Sequence, residues 1–200
     1  MPAYEFEGVR PVVDPAAFVH PTAVLIGDVI VGPECLVGPC ASLRGDIGRI
    51  TLHRGSNVQD NCTVHCFPGK EVIIEEEGHV GHGAVLHGCH VGRNALIGMN
   101  AVVMDDVVVG ENSFVAAMAF VRAGMEIPAR TLVGGVPAKP MRELRDDEIE
   151  WKRQGTGHYQ HLARRSLATQ RPVEPLAAVE PDRPRVPELV YAPKHEQPGG

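Results

Sequence analysis

The chain is poor in aromatic residues: one Trp, three Tyr and five Phe among 200 residues. So few rings do not suit a packed helical globule, whereas 22 Gly and 17 Pro suit a scaffold of repeated tight turns. There is no apolar run of about 18 residues, so no membrane-spanning helix is expected. The start, MPAYEFEGVRP, is acidic where a signal peptide needs a cationic segment followed by an apolar one, and a cytoplasmic protein is expected. Positive charge is not in excess either. The formal net charge of −6 argues against nucleic acid or an anionic membrane surface as partner. The five cysteines, Cys35, Cys40, Cys62, Cys66 and Cys89, are odd in number and form no CxxC pair, which points away from a disulfide framework and from a four-cysteine zinc site. What remains, 44% hydrophobic residues in 200, is enough for one core.

That hydrophobic content is periodic. Aliphatic residues fall six apart at Val19, Leu25, Val31, Val37 and Leu43, and after a slip of three at Leu52, Val58 and Val64. A second slip spans FPGKEVIIEEEG, after which the pattern resumes at Val80 and Leu86; past one five-residue unit it runs from Val91 to Val133. A helical period of about 3.6 would scatter these residues around a cylinder; a period of six is a short strand plus a turn. Three such units close a triangular coil, and stacked coils lie about 4.8 Å apart with the periodic residues in a central column. Ala23, Ala41, Ala84, Ala95 and Ala101, four places after periodic positions, fill the inner corners. The expected fold is all-β, a parallel β-helix of hexapeptide repeats over residues 1–137; it resembles hexapeptide-repeat proteins, which implies left-handed winding.

The period also places the chemistry. Arg44, His65 and His87 each follow a periodic residue, so they are expected in one outward column on successive coils, with His65 and His87 adjacent. Two imidazoles at that spacing can share a zinc at about 2.0–2.1 Å per nitrogen. His82 sits at the preceding corner, up to roughly 17 Å from His87 along extended chain. A threefold homotrimer removes that difficulty, because the His82 corner of one subunit can face the His65/His87 column of the next. Three ligands leave a fourth position for water, the arrangement of a catalytic zinc; iron or cobalt would be held by the same imidazoles. His79 and His90 lie off this column and are expected on the surface, with hydrogen bonding to the groups around the ligands as the alternative. Cys62, Cys66 and Cys89 are expected as small hydrophobes of the coils.

LRGD (43–46), NVQDNCTVH (57–65) and GHGAVLHG (81–88), in that order on such a repeat, resemble the gamma-class carbonic anhydrases. PAYEFEG, GMNAVV and EWKRQGTGHYQ are more similar to the PaaY- and CaiE-like branch, associated with phenylacetate and carnitine metabolism; the resemblance covers residues 1–168. It implies His65, His82 and His87 as zinc ligands at subunit interfaces, Arg44 and Asp46 pairing across that boundary, and Gln59 and Asp60 as site residues. The Gln59 amide would hydrogen-bond the metal's water, and Tyr159 would come to the site from the C-terminal segment. Attack of a hydroxide on CO2 to give bicarbonate is the implied reaction. The chain departs from archaeal members where they carry a glutamate on an acidic loop; here CFPGKEV follows His65, and Glu75 to Glu77 read as a solvated loop.

Beyond Val136 the repeat stops. Prolines, an acidic first turn and Leu144, Ile149 and Trp151 predict a helix within 138–168 that packs along the prism, weakened or kinked at Gly155 and Gly157. Residues 169–200 are rich in proline and read as an extended tail, with ELVYAP as a short docking segment at most. Three functions fit: a zinc-dependent gamma-type carbonic anhydrase acting on CO2, a thioesterase acting on acyl-CoA of phenylacetate or carnitine metabolism, and a hexapeptide-repeat acyltransferase or inactive relative.

Overall fold

The computed structural model describes residues 3–187 and residue 196, so the ELVYAP segment lies outside the described residues. The chain winds into a parallel β-helix of hexapeptide repeats followed by one α-helix, the architecture expected from the period. One face is an eight-stranded sheet that begins with Phe18–Val19, Leu36–Val37, Asn57–Val58 and His79–Val80. The other two faces join into a twelve-stranded sheet through the long strands Val24–Val31 and Ser42–Leu52, which pair with each other around a corner. Ala3–Tyr4 and Val12–Val13, ahead of the periodic region, also pair with Val24–Val31.

Every periodic residue from Leu25 to Val133 is buried, at no more than 2% exposed, and Val19 packs against the column. The five inner-corner alanines are fully buried, since a larger side chain there would collide across the coil. Asn61, Asn94, Asn100 and Asn112 take the turns with φ between 51° and 60°, a left-handed conformation that asparagine tolerates better than most residues. The second slip is more regular than its sequence suggests. Val72–Ile74 is a strand that pairs with Ser42–Leu52 and with His90–Val91, so Ile74 continues the buried column. Glu75 is not simply solvated, because its carboxylate meets His90 Nε2 at 2.9 Å.

The segment after the repeat differs from expectation at its start. Ala138–Glu143 is a strand that folds back antiparallel on Thr131–Gly135 and closes the eight-stranded sheet. The α-helix is Asp146–Thr169. Its start is fixed by Glu148, whose carboxylate accepts the Arg145 N–H at 3.0 Å and both Arg142 Nη donors at 2.8 Å. Those hydrogen bonds from Arg142 hold the Glu148 carboxyl down at about 2. Gly155 and Gly157 neither break nor divide the helix. Gly155 is buried against the prism with Lys152, Thr156 and Ala163, and tertiary packing offsets a propensity cost of about 1 kcal/mol per glycine. The helix lies on Phe18–Val19, Leu36–Val37 and Asn57–Val58. From 170 to 187 the chain is exposed and adds no helix or strand. No helix of the described residues is long and apolar enough to cross a membrane.

Candidate functional site

Strands Thr63–His65 and Val85–His87 pair with His65 directly opposite His87. The two rings stand 5.3 Å apart, with His65 Nδ1 3.3 Å from His87 Nε2. The far nitrogen of each ring meets a carboxylate: His65 Nε2 lies 3.0 Å from Asp46 Oδ1, and His87 Nδ1 lies 2.8 Å from Asp105 Oδ1. When those carboxylates take the ring protons, the two facing nitrogens are bare, and bare lone pairs 3.3 Å apart need a proton or a cation between them. Two bonds of about 2.0–2.1 Å meeting at a tetrahedral angle span about 3.3–3.4 Å, so the pair fits the bite of one zinc ion. Arg44 pairs with Asp46, Nε to Oδ2 at 3.7 Å; its Nη2 also lies 3.0 Å from His65 Nε2, but a guanidinium only donates, so the ring nitrogen that gives its N–H to Asp46 makes no hydrogen bond to Arg44. Phe67, largely exposed, sets its ring against the outer side of His87 at 4.8 Å.

Asp105 has no counterpart among the residues expected from sequence. The five-residue unit after Leu86 shifts the register, so that Leu86 pairs with Val103 and the carboxylate two places on reaches back over Gly88 to His87. A Cβ on Gly88 would lie 2.3 Å from Asp105 Oδ1, so only glycine leaves that path open. The short unit is visible in the spacing, but the spacing does not show that a side chain two places past a periodic residue reaches back to the coil before it.

His82 is elsewhere, as its corner position required. It follows His79–Val80 on the eight-stranded face, and among the described residues no three His, Cys, Asp or Glu side chains converge as a metal cage within the chain. Its side chain is 47% exposed against 15% for His65 and 21% for His87, and Asp60 Oδ2 takes its Nδ1 at 2.7 Å. With Nδ1 held, Nε2 is the nitrogen turned toward whatever lies outside the chain. A cleft of about 370 Å³ beside it is lined by Gln59, His79, His82 and Tyr159 and by apolar residues including Leu96, Met99, Phe114 and Leu132. Tyr159 also borders a second cleft of about 280 Å³ on the other side of His82, with Asp60. Burial raises the Tyr159 phenol above its ordinary value, so it stands there as a proton-bearing donor.

Gln59 is 2% exposed and more tightly engaged than the sequence suggests. Its Nε2 donates to Asn57 Oδ1 at 3.0 Å and lies 2.7 Å from His79 Nε2. His79, expected on the surface, is instead half-buried between the helix and the prism, at the edge of the cleft. Desolvation, with the Lys152 charge nearby, pushes its imidazole down to about 3 and keeps it neutral. Cys62 and Cys89 are buried with thiols pushed up to about 11 and about 12 by desolvation, which leaves them unreactive core residues.

Residues 88–123 match the family described as bacterial transferase hexapeptide (six repeats). The carnitine operon protein CaiE of Salmonella agona (strain SL483) is 54% identical over 186 residues, 93% of this chain and 94% of that protein. CaiE of Escherichia coli (strain K12) is 52% identical over 93% of this chain and 95% of its own length. Among solved structures, a putative acetyltransferase of Bacillus cereus aligns with a TM-score of 0.83 at 33% identity, covering 84% of this chain and 98% of that one. A hexapeptide transferase family protein from Anaplasma phagocytophilum aligns with a TM-score of 0.79 at 34% identity, covering 82% and 96%.

Proposed function

Since the chain belongs to the hexapeptide-repeat family that includes the carnitine operon protein CaiE, we propose that it uses that scaffold as a gamma-class carbonic anhydrase does, holding a metal ion between subunits to activate water. The observation that carries this reading is the pair of facing nitrogens, 3.3 Å apart, on two imidazoles each backed by a carboxylate. His65 and His87 of one subunit and His82 of its neighbour in a homotrimer hold the ion, zinc by preference. Zinc so placed brings a water's pKa toward about 7 and supplies hydroxide at neutral pH. Asp46, Asp105 and Asp60 keep the three imidazoles in the ligating tautomer. Gln59 orients the nucleophile, Tyr159 donates a hydrogen bond at the cleft, and Arg44 with Asp46 secures the subunit edge. CO2 is the substrate that needs nothing more than this.

A second reading has one observation in its favour. The 370 Å³ cleft beside His82 has an apolar wall long enough for a small acyl group, which suits hydrolysis of an acyl-CoA thioester at the same centre. Acyl transfer, the activity named for the B. cereus relative, needs a free histidine base: His79 has its Nε2 occupied by Gln59, whereas His82, with Asp60 on Nδ1, could serve if no metal is held there. The test is to assay zinc-loaded protein against CO2 and against phenylacetyl-CoA, with His87→Ala as control and metal content measured on both. CO2 hydration lost with metal in His87→Ala supports the first reading. Thioester cleavage alone replaces it with the second, and activity on neither, or only transfer to an acceptor, removes both.

A further inference from the structure

Asn57, Gln59, His79 and Thr156 form a polar cluster beneath the helix whose hydrogen-bond directions can be assigned. His79 pairs in register with Asn57 across the eight-stranded face, and Gln59 is two places further along the same strand and corner. One side of the His79 ring is fixed edge-on by Tyr159, centroids 5.0 Å apart at 87°. A neutral imidazole has one donor and one acceptor. Because Gln59 Nε2 donates to Asn57 Oδ1 at 3.0 Å, the group facing His79 Nε2 at 2.7 Å is an N–H, and that ring nitrogen must accept. The ring proton is then on Nδ1. Asn57 Nδ2, 3.3 Å away, is itself a donor, so Thr156 Oγ1 at 3.5 Å is the acceptor. With Asn57 Oδ1 facing Gln59, turning the Gln59 amide alone would set its oxygen against Asn57 Oδ1, so the orientation of Asn57 carries that of Gln59.

We infer that His79, held by Thr156 of the C-terminal helix, is the positioning residue that locks the Gln59 amide with its carbonyl oxygen, and not its NH2 group, toward the cleft beside His82. This role rests on the site reading given above. It decides between two uses of Gln59: an outward carbonyl accepts a proton from an attacking water and aims its lone pair at the substrate, whereas an outward NH2 would instead stabilise an oxyanion. The helix is thereby part of the site, since loss of Thr156 frees the ring and with it the amide.

Nitrogen-15 spectra of the metal-free protein test the assignment without reference to turnover. The expected result is a single neutral His79 tautomer protonated at Nδ1, and Gln59 NH2 protons shielded from exchange. In His79→Phe those protons should exchange at least about tenfold faster and, on the zinc-loaded protein, kcat for CO2 should drop about ten- to a hundredfold with KM little changed. His79→Gln, which restores an acceptor at the Nε2 position, should recover most of both. Thr156→Val covers the case in which His79→Phe does not fold, and should show a second, Nε2-protonated population. A wild-type ring protonated at Nε2, or unchanged Gln59 exchange in either variant, would overturn the inference. Wild-type protein inert toward CO2 but with the expected spectra would remove the carbonic anhydrase reading while leaving the locked amide standing.

Discussion

Each candidate ligand has its own carboxylate: Asp46 behind His65, Asp60 behind His82, Asp105 behind His87. A carboxylate on the far nitrogen fixes the tautomer and makes the near nitrogen a better donor to a metal. Replacing Asp105 with Asn removes the charge and presents an ambiguous partner, so zinc affinity should fall about ten- to a hundredfold in competition with a chromophoric chelator, while thermal stability stays within about 0.5 kcal/mol. Equal affinity in the variant would mean that His87 is not oriented through Asp105. The adjacency of His65 and His87 was legible in their spacing because strand period converts directly into position. Asp105 was not, since the period fixes the column of a periodic residue but not that a side chain two places past it reaches back over Gly88 to the preceding coil. The partial burial of His79 was hidden for another reason: its cover is a helix some seventy residues away, and no local pattern records that contact.

The C-terminal helix docks over a buried lysine and a half-buried histidine. Lys152 is 2% exposed and donates to the Glu77 carbonyl and to Asn94 Oδ1, with burial pushing its ammonium down to about 7; His79 is pushed down to about 3. Both bind protons more tightly when the helix is undocked, so docking is strongest at high pH and weakens as pH falls: from 10.5 to about 7 through Lys152, then from 6.5 to about 3 through His79. Lys152→Met leaves two carbonyls without their donor, a cost of about 1–3 kcal/mol near pH 10, but it removes the first of these slopes. The Tm advantage of wild type over the variant should therefore shrink below pH 10 and change sign toward pH 7, and a constant gap would contradict the assignment. The helix itself was legible from its acidic first turn. Its continuity through Gly155 and Gly157 was not, because propensity counts the glycines as a cost and misses the close approach that Gly155 allows. The strand Ala138–Glu143 was masked by Pro137 before it and Pro140 within it, which read as a stop and which the sheet accommodates at an edge.

At the scale of the whole molecule, the proposed function makes the single chain the bearer of two incomplete halves of a site. His65 and His87 are one half, with exposed Phe67 set on His87; His82 is the other, with Met99, 53% exposed, in the adjoining cleft. Apolar side chains left open beside unfinished polar clusters are what a subunit boundary covers. Complementation separates a shared site from a private one. His82→Ala and His87→Ala should each bind almost no zinc alone. When both are co-expressed and assemble at random, a complete site needs a His82→Ala copy supplying His65 and His87 and, on the correct side, a His87→Ala copy supplying His82. Each condition holds for half the positions, so about a quarter of the sites should recover metal in a cyclic trimer. A site built within one chain would recover none, because every chain in the mixture lacks one of its own ligands. Metal content of the mixed species, measured beside its mass, therefore reads the geometry directly, independently of which substrate the centre turns over.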